Sequence, residues 1–266
     1  KYEGRKRKKL VNGGGACHNL ESYNENLKII SWMNYFIGPN WYDTWQSFGA
    51  ICILVSEILR KRPMVNLPYL GTGKSDIEFN SDSINRALNI LLNDGVVILH
   101  NGKSEVGPRA LGKRSFVARP DKIEVKRKLS EKIKQRESYL PVAPVVLQDK
   151  VHDYFTGEKS SPFMLYKYDV KPIVRNKIEG AIHIDGSARV QTVSKDTNRY
   201  LYDLIEAFGN HTGIYMLLNT SLNLKGNPIS NTIEDSLGIY SKIESPKCLV
   251  FDGNLIEVNN TEEKWR

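Results

Sequence analysis

The order of apolar and polar positions along the chain predicts a succession of helices and strands. Residues 96–99 form a continuous apolar run that is typical of a buried strand. Residues 83–92 carry apolar side chains at helical spacing, and Asn93-Asp-Gly95 follows as a stop signal. The same reasoning predicts strands at 116–118, 161–166, 213–218, 248–251 and 255–258, and helices at 121–135, 196–210 and from 232 onwards. This alternation indicates an α/β fold.

The first seventy residues carry a weaker pattern. An apolar start leads into a glycine run that contains Gly14 and Gly15, and residues 34–37 suit a short strand. Asp43 stands at the head of a predicted helix over residues 44–60. A strand that runs into a glycine turn suits a phosphate or adenine-ribose site. A plain tight turn and a helix cap are the simpler interpretations of these residues from the pattern alone.

The positive charge of the chain is concentrated in one segment. The net charge is +8 over 266 residues, and the hydrophobic content of 40% is that of an ordinary globular protein. Residues 101–136 hold twelve Lys/Arg and four Asp/Glu, which accounts for the whole excess. This distribution favours a dedicated anion-binding cleft over a generally basic surface. The basic arm at residues 1–9 is interpreted as a solvated end, with a nucleic-acid contact as the alternative.

The sequence also predicts a cytoplasmic protein that makes no contact with a membrane. Cys17, Cys52 and Cys248 are far apart, show no metal-ligand spacing and suit a reducing compartment. The start of the chain lacks the apolar core of a signal peptide. The longest apolar run, residues 48–55, is too short to span a bilayer.

The richest candidate for chemistry is the segment Gly102-Lys-Ser-Glu-Val-Gly-Pro-Arg-Ala-Leu-Gly-Lys-Arg-Ser115, which we call the signature loop. It follows the predicted strand at 96–99 and places Lys103, Arg109 and Arg114 among glycines. Arginine can hold phosphate or carboxylate through two parallel hydrogen bonds. A solvated basic loop is the alternative, but the small and apolar residues between the cations indicate partial burial.

The signature loop closely resembles the signature of the nodulation and antibiotic-biosynthesis O-carbamoyltransferases, Gly-Arg-x-Glu-x-Gly-Pro-Arg-Ala-Leu-Gly-x-Arg-Ser. Three later segments resemble other motifs of that family in the same order. They are Arg136-Glu-Ser-Tyr-Leu-Pro-Val-Ala-Pro144, His183-Ile-Asp-Gly-Ser-Ala-Arg-Val-Gln-Thr-Val193 and Asn219-Thr-Ser-Leu-Asn-Leu-Lys-Gly226. Upstream, the segment 14–19 and Asp43 resemble two elements near the end of the family's actin-like domain.

The resemblance implies a two-part α/β architecture. Residues 1–71 would be the C-terminal part of an actin-like (ASKHA-type) domain, and residues 72–81 a linker. Residues 82–258 would form a YrdC-like domain with a twisted open sheet around a basic cleft, followed by a tail at 259–266. The family's actin-like domain also supplies a His-x-x-x-His pair, and no two of the five histidines here are four apart. We therefore expect a second polypeptide, or an N-terminal portion outside this chain, to complete that domain.

In the family, the YrdC-like domain makes carbamoyl adenylate from carbamoyl phosphate and ATP, here expected with Mg. The actin-like domain then transfers the carbamoyl group to a hydroxyl, using iron or another divalent metal. Carried over residue by residue, the resemblance assigns catalytic anion contacts to Arg109, Arg114, Arg136 and Arg189. It assigns substrate or nucleotide binding to Lys103, His183, Asn219, Thr220, Ser221, Asn223, Gly14 and Gly15. It assigns one metal ligand to Asp43, in a site shared with the partner.

The acceptor and the class of protein stay open at this level. Sugars, natural products and a hydroxymethylated nucleobase in DNA all offer a suitable hydroxyl, and the basic arm would suit DNA. A regulatory or RNA-binding module without catalysis is one alternative. Synthesis of threonylcarbamoyl adenylate for tRNA is another, although neither alternative requires the actin-like tail.

Overall fold

The computed structural model describes residues 9–12, 34–37, 46–61, 68–75 and 77–256. In the N-terminal region, strand β1 (Lys9–Asn12) pairs in parallel with strand β2 (Asn34–Ile37), and helix α1 spans Gln46–Leu59. Both the short strand at 34–37 and the helix after residue 44 were predicted from the sequence. The predicted nucleotide contacts Gly14 and Gly15 and the predicted metal ligand Asp43 lie outside the described residues.

The remaining elements belong to one α/β unit, which confirms the predicted fold class. Its helices are α2 (Ser81–Leu92), α3 (Ile123–Arg127), α4 (Val151–Tyr154), α5 (Arg199–Thr212) and α6 (Ile233–Ser241). Its strands are β3 (Val96–His100), β4 (Arg114–Ala118), β5 (Ala143–Leu147), β6 (Phe155–Thr156), β7 (Lys167–Val170), β8 (Ser187–Arg189), β9 (Gln191–Val193), β10 (Met216–Ser221), β11 (Lys247–Phe251) and β12 (Asn254–Ile256).

Seven of these strands form an open mixed sheet in the order β12-β11-β3-β4-β10-β5-β9. Strand β3 is fully buried because its run Val-Val-Ile-Leu has sheet neighbours on both sides, parallel to β11 and antiparallel to β4. Strand β10 lies between β4 and β5, antiparallel to both. A second sheet contains three strands in the order β6-β7-β8.

Two helices cover the sheet, and the C-cap of α2 is Asn93, the first residue of the predicted stop signal. Asn80 caps α2 by accepting a hydrogen bond from the backbone N–H of Ser83, and Asn198 caps α5 in the same way. The hydroxyl of Tyr200 on α5 donates to the carbonyl of Ser83 on α2 at 3.3 Å, and Phe79 packs edge-on against Tyr200. These contacts join the apolar faces of α2 and α5 over the core.

Two predicted elements differ from the observed ones. The predicted strand at 161–166 is wrong, because this segment turns at Pro162 and Met164 has a left-handed φ of 57°; the strand begins only at Lys167. The predicted helix at 121–135 is α-helical only over Ile123–Arg127 and continues as a π-helix over Lys128–Ile133. That wider turn changes which side chains of the segment face the core.

Candidate active site

A cavity of about 540 Å³, which we call the cleft, lies between two of the sequence motifs. One wall is formed by Ser104, Glu105, Gly107 and Pro108 of the signature loop. The other wall is formed by Ser221, Asn223 and residues 227–231. The walls meet where β4 pairs with the end of β10, with Ser115 opposite Ser221. The sheet therefore brings together motifs that are more than a hundred residues apart.

Glu105 gives the signature loop its shape. One oxygen of its carboxylate accepts hydrogen bonds from the backbone N–H groups of Leu111 at 2.6 Å, Lys113 at 2.7 Å and Arg114 at 3.3 Å. The second oxygen is buried and has no partner among the described residues. A carboxylate is a strong acceptor for such a group of amides. These three N–H groups are therefore engaged by the protein itself, and any anion in the cleft must be held mainly by side chains.

Arg114 points into the protein and is 1% exposed. Its guanidinium donates to three backbone carbonyls: Asn101 at 3.4 Å, Lys113 at 3.2 Å and Thr72 at 3.2 Å. Burial lowers the pKa of Arg114, and the negative charges of Glu105 and Asp252 oppose that effect. The observed contacts hold the signature loop to neighbouring chain segments, whereas the sequence had predicted an anion contact for this residue.

Asn219 joins the signature loop to the sheet. Its side-chain nitrogen donates to the carbonyl of Ala110 at 3.2 Å and to the side-chain oxygen of Gln191 at 2.7 Å, while Gln191 donates to the carbonyl of Leu111 at 2.9 Å. These partners fix the orientation of both amides. The oxygen of Asn219 is left buried without a partner among the described residues. Gln191 was not predicted as a site residue, although it lies inside a motif that was.

Lys134, two residues before the motif that begins at Arg136, contacts the wall of the cleft. Its ammonium donates to the carbonyl of Ser221 at 2.7 Å, to the hydroxyl of Ser221 at 3.2 Å and to the carbonyl of Asn223 at 2.7 Å, and it also contacts the side-chain oxygen of Asn223. The hydroxyl of Ser221 in turn donates to that oxygen at 2.6 Å. Lys134 therefore reaches the wall of the cleft from behind, through two residues that the sequence had predicted to bind substrate.

Lys134, Lys126 and Arg136 form what we call the cationic cluster. Lys126 and Lys134 are both 6% exposed, and Arg136 is half-buried. None of the three forms an ion pair with a carboxylate within the described ranges. Burial, and secondly the Arg136 guanidinium, lower the pKa of Lys134 to about 7 and also lower that of Lys126. Three neighbouring cations without an anion form a ready site for an anionic ligand.

His183 and Arg189 lie on the other side of this cluster. Burial lowers the pKa of His183 to about 4, and the positive charges of Arg189 and Lys126 contribute. The imidazole is therefore neutral near pH 7, with its Nε2 buried and unpartnered among the described residues. Asp185 forms a hydrogen-bonded turn: it accepts from the backbone N–H and the hydroxyl of Ser187 and pairs with Lys167 at 3.0 Å.

The other predicted site residues occupy different positions. Lys103 and Arg109 are part of the signature loop, are partly exposed and make no side-chain hydrogen bond or ion pair with the described residues. Thr220 is 9% exposed, and the alternation along β10 directs its side chain to the opposite face of the sheet from Asn219 and Ser221. Thr220 is thus the one predicted residue of this motif that the fold separates from the others.

Lys134 and Glu105 were missed by sequence reasoning. Lys134 lies in the lysine-rich helix predicted at 121–135, where no residue was selected as a ligand, and the π-helical turn before it was not predicted. A usable signal was present, because Lys134 is two residues before Arg136, which had been selected. Glu105 is a conspicuous carboxylate inside a basic loop, and such a residue commonly stabilises the surrounding cations and amides.

The unusual pKa of Lys134 predicts that binding of an anion is linked to proton uptake. Above a pKa of about 7 the free ammonium is largely deprotonated, and an anion favours the charged form, so affinity must fall as pH rises from 6 to 8.5. Calorimetric titration with sulfate, whose charge is constant in this range, in two buffers of different ionisation enthalpy would measure the uptake. Lys134→Met should abolish it; equal proton uptake in both proteins would contradict the assignment.

Together, the mixed sheet, the cleft and the cationic cluster define an α/β protein with a preformed cationic site. Comparison with known proteins agrees with the resemblance noted from the motifs. The family model described as "Carbamoyltransferase C-terminus" matches residues 88–257, which is most of the chain and contains the whole cleft. The chain belongs to this carbamoyltransferase family.

Three curated relatives illustrate the similarity. Nodulation protein NolO of Bradyrhizobium diazoefficiens is 33% identical over 253 residues, which cover 87% of this chain and 46% of the relative. Nodulation protein NolNO of Sinorhizobium fredii is 32% identical, covering 88% of this chain and 37% of the relative. The uncharacterized protein MJ1051 of Methanocaldococcus jannaschii is 42% identical over 61% of this chain and 31% of its own length. The chain thus spans less than half the length of these relatives.

Among solved structures, full-length HypF in its phosphate- and nucleotide-bound form aligns with 65% of this chain and 21% of its own chain. The sequence identity is 19% and the TM-score is 0.43. Among the described residues, no helix combines the length and apolarity needed to cross a bilayer. Nor do they contain a group of three or more His, Cys, Asp or Glu side chains arranged to hold a metal ion. The predicted metal site at Asp43 lies outside these residues and stays a prediction.

Proposed function

We propose that the cleft binds carbamoyl phosphate and ATP and joins them as carbamoyl adenylate. The balanced reaction consumes one water: carbamoyl phosphate, ATP and water give carbamoyl adenylate, pyrophosphate and orthophosphate. Water and carbamoyl phosphate give orthophosphate and carbamate. An oxygen of this carbamate attacks the α-phosphorus of ATP, and the bond from the α-phosphorus to the oxygen that bridges it to the β-phosphate breaks. The observation that carries this proposal is the cationic cluster of Lys126, Lys134 and Arg136, which has no carboxylate partner in the described part of the chain.

The role of the cations would be electrostatic. ATP and carbamoyl phosphate together bring several negative charges into the cleft, and negative charge shifts toward pyrophosphate as the reaction proceeds. Preorganised cations stabilise such developing charge without further rearrangement. Lys134 and Arg136 would hold the phosphates from one side, and Lys103 and Arg109 of the signature loop would also hold them. Ser221 and Asn223 would orient the nucleotide, and Mg would accompany ATP.

The test is formation of both inorganic products. With ATP and carbamoyl phosphate present, pyrophosphate and orthophosphate should appear in equal amounts, and omission of either substrate should stop pyrophosphate release. If ATP binds but no pyrophosphate forms, the chain is a binding module. If threonine and bicarbonate replace carbamoyl phosphate with equal or better rates, the threonylcarbamoyl alternative is the better one. Either result would reject the proposal.

We further propose that the carbamoyl group passes to a hydroxyl at a site completed by additional polypeptide. The support is helix α1, where five apolar side chains are each more than half exposed: Ile51, Ile53, Leu54, Ile58 and Leu59. Exposed apolar groups of this extent mark interaction surfaces. The partner would carry the rest of the actin-like domain, and with Asp43 it would hold the divalent metal. The acceptor hydroxyl would belong to a sugar, a natural product or a modified base in DNA.

Co-purification with neighbouring gene products followed by metal analysis tests the shared site. Recovery of a carbamoyl-transferring monomer without metal would contradict it. Comparison of a free sugar or nucleoside with duplex DNA at low and high salt distinguishes the acceptors. A DNA acceptor requires transfer that falls with added salt, because phosphate contacts release counterions. Salt-independent transfer to a free nucleoside would exclude the DNA version.

A further inference from the structure

We infer that Thr72 is a positioning residue that sets the width of the cleft by joining its two walls. This inference rests on the proposed function, since it concerns the binding of the same substrates. It concerns residues 68–75, which we call the strap. The strap contains the last residues of the predicted actin-like part and the first residues of the predicted linker at 72–81.

The strap is bound along the wall of the cleft that the signature loop forms. Four backbone hydrogen bonds of 2.9–3.0 Å join it to residues 103–106 of the signature loop. Their donors and acceptors are Val106 to Pro68, Gly71 to Ser104, Ser104 to Thr72 and Lys103 to Lys74. The hydroxyl of Tyr69 adds a bond to the carbonyl of Leu111 at 3.1 Å. The strap is therefore held along the signature loop by hydrogen bonds.

Two glycines make this close approach possible. A β-carbon at Gly71 would lie 1.9 Å from the hydroxyl oxygen of Ser104. Gly73 has a φ of +125°, and a β-carbon there would lie 2.1 Å from the carbonyl oxygen of Gly102. Any side chain at these positions would push the strap away from the signature loop. Thr72, between them, is held with its carbonyl toward the loop.

Thr72 contacts both walls. Its carbonyl accepts from the backbone N–H of Ser104 at 2.9 Å and from the guanidinium of Arg114 at 3.2 Å. Its hydroxyl donates to the side-chain oxygen of Asn231 at 2.6 Å. Ser104 and Asn231 line opposite walls of the cleft. Thr72 is thus a cross-link between the two walls, through its carbonyl to Ser104 and through its hydroxyl to Asn231.

The second wall has its own attachment to the core. Asn231 lies just before α6, whose capping residues Thr232 and Asp235 bond each other reciprocally. Behind it, the hydroxyl of Ser230 lies 2.7 Å from that of Ser236, which lies 2.7 Å from Nδ1 of the buried His100. Loss of the Thr72 hydroxyl should therefore free the 227–231 wall locally and leave the fold intact.

The experiment compares Thr72→Val, which keeps the shape and loses the hydroxyl, with Thr72→Ser, which keeps the hydroxyl. Ser75→Ala is the matched control, because Ser75 is an exposed strap residue whose side chain makes no hydrogen bond to either wall of the cleft. Hydrogen exchange of residues 227–231 should accelerate about threefold in Thr72→Val, as expected for one exposed hydrogen bond. The KM for ATP in pyrophosphate release should rise by about the same factor with kcat nearly unchanged.

Asn231→Ala should reproduce both effects, and the double variant should add nothing, because both substitutions remove one bond. Thr72→Ser should behave as wild type. The inference is overturned if Thr72→Val leaves exchange at the wild-type rate, or if the effects of the two substitutions simply add. If the wild-type protein releases no pyrophosphate, the proposed function fails, while the exchange measurement still decides the role of Thr72.

Discussion

Replacement of Lys134 by Met should lower pyrophosphate formation at least about a hundredfold while the protein remains folded. The ammonium of Lys134 contacts Ser221 and Asn223 from behind the cleft and stands beside Arg136. Removal of one preorganised charge at a site where charge develops typically costs about a hundredfold to a thousandfold in kcat. Methionine keeps the length and the apolar stem, so the loss is mainly electrostatic. Steady-state rates with both substrates at saturation would measure it.

Lys132→Met is the matched control, because Lys132 is exposed on the same segment. It removes the same charge from the chain and should leave the rate within about twofold. The stability of Lys134→Met should change little near pH 7, because the lost hydrogen bonds to the carbonyls of Ser221 and Asn223 are offset by removal of an ammonium that burial disfavours. In the wild-type protein, the unfolded chain binds more protons at this position between pH 7 and 10.5, so the native state gains stability as pH rises. A full rate in Lys134→Met would remove the cationic cluster from the mechanism.

The fold could largely be predicted from the sequence because its main signals are local. The strands predicted at 96–99 and 213–218 needed only the length and polarity of each run, and they are observed as Val96–His100 and Met216–Ser221. The predicted strand at 161–166 failed because apolar composition outweighed the turn chemistry of Pro162 and the left-handed Met164. Composition alone cannot distinguish a buried irregular segment from a buried strand.

The sequence predicted that the candidate site is basic, but it did not predict which of the basic side chains lie together. The excess of basic residues at 101–136 is visible in the sequence, but only the structure distinguishes cations that are paired with carboxylates from cations that are not. Arg119 pairs with Asp94 at 2.8 Å and with Asp121 at 2.7 Å, and Lys122 pairs with Asp94 at 2.7 Å. These cations stabilise the fold, whereas the cationic cluster has no such partner in the described residues. Asp94 lies 25 residues before Arg119 in the chain, so this division depends on tertiary contacts.

Arg114 illustrates the same limit within a single motif. From sequence, Arg109 and Arg114 were equivalent, since both stand in the signature loop and both match an arginine of the signature that it resembles. The fold directs Arg114 to three carbonyls of the protein, and it leaves Arg109 without a hydrogen-bond partner among the described residues. Five residues of spacing within an irregular loop carry no periodicity that would distinguish an inward side chain from an outward one.

Arg114→Met should therefore lower the free energy of unfolding by about 3 kcal/mol, because it removes the three hydrogen bonds that the buried guanidinium donates to the carbonyls of Thr72, Asn101 and Lys113. Denaturant unfolding with an unchanged m-value would measure the shift. Arg109→Met is the paired variant and should change stability by less than about 0.5 kcal/mol while it weakens ATP binding.

The opposite pattern, with Arg114→Met as stable as wild type but inactive, would restore Arg114 as a direct anion contact. The two arginines differ in what their removal exposes. Without Arg114, buried carbonyls lose their only described side-chain donor, and water cannot easily replace it at a site that is 1% exposed. Without Arg109, the loop keeps the three amide bonds to Glu105 that shape it. Stability and activity measured on the same pair of variants therefore separate the residue that builds the cleft wall from the residue that faces the ligand.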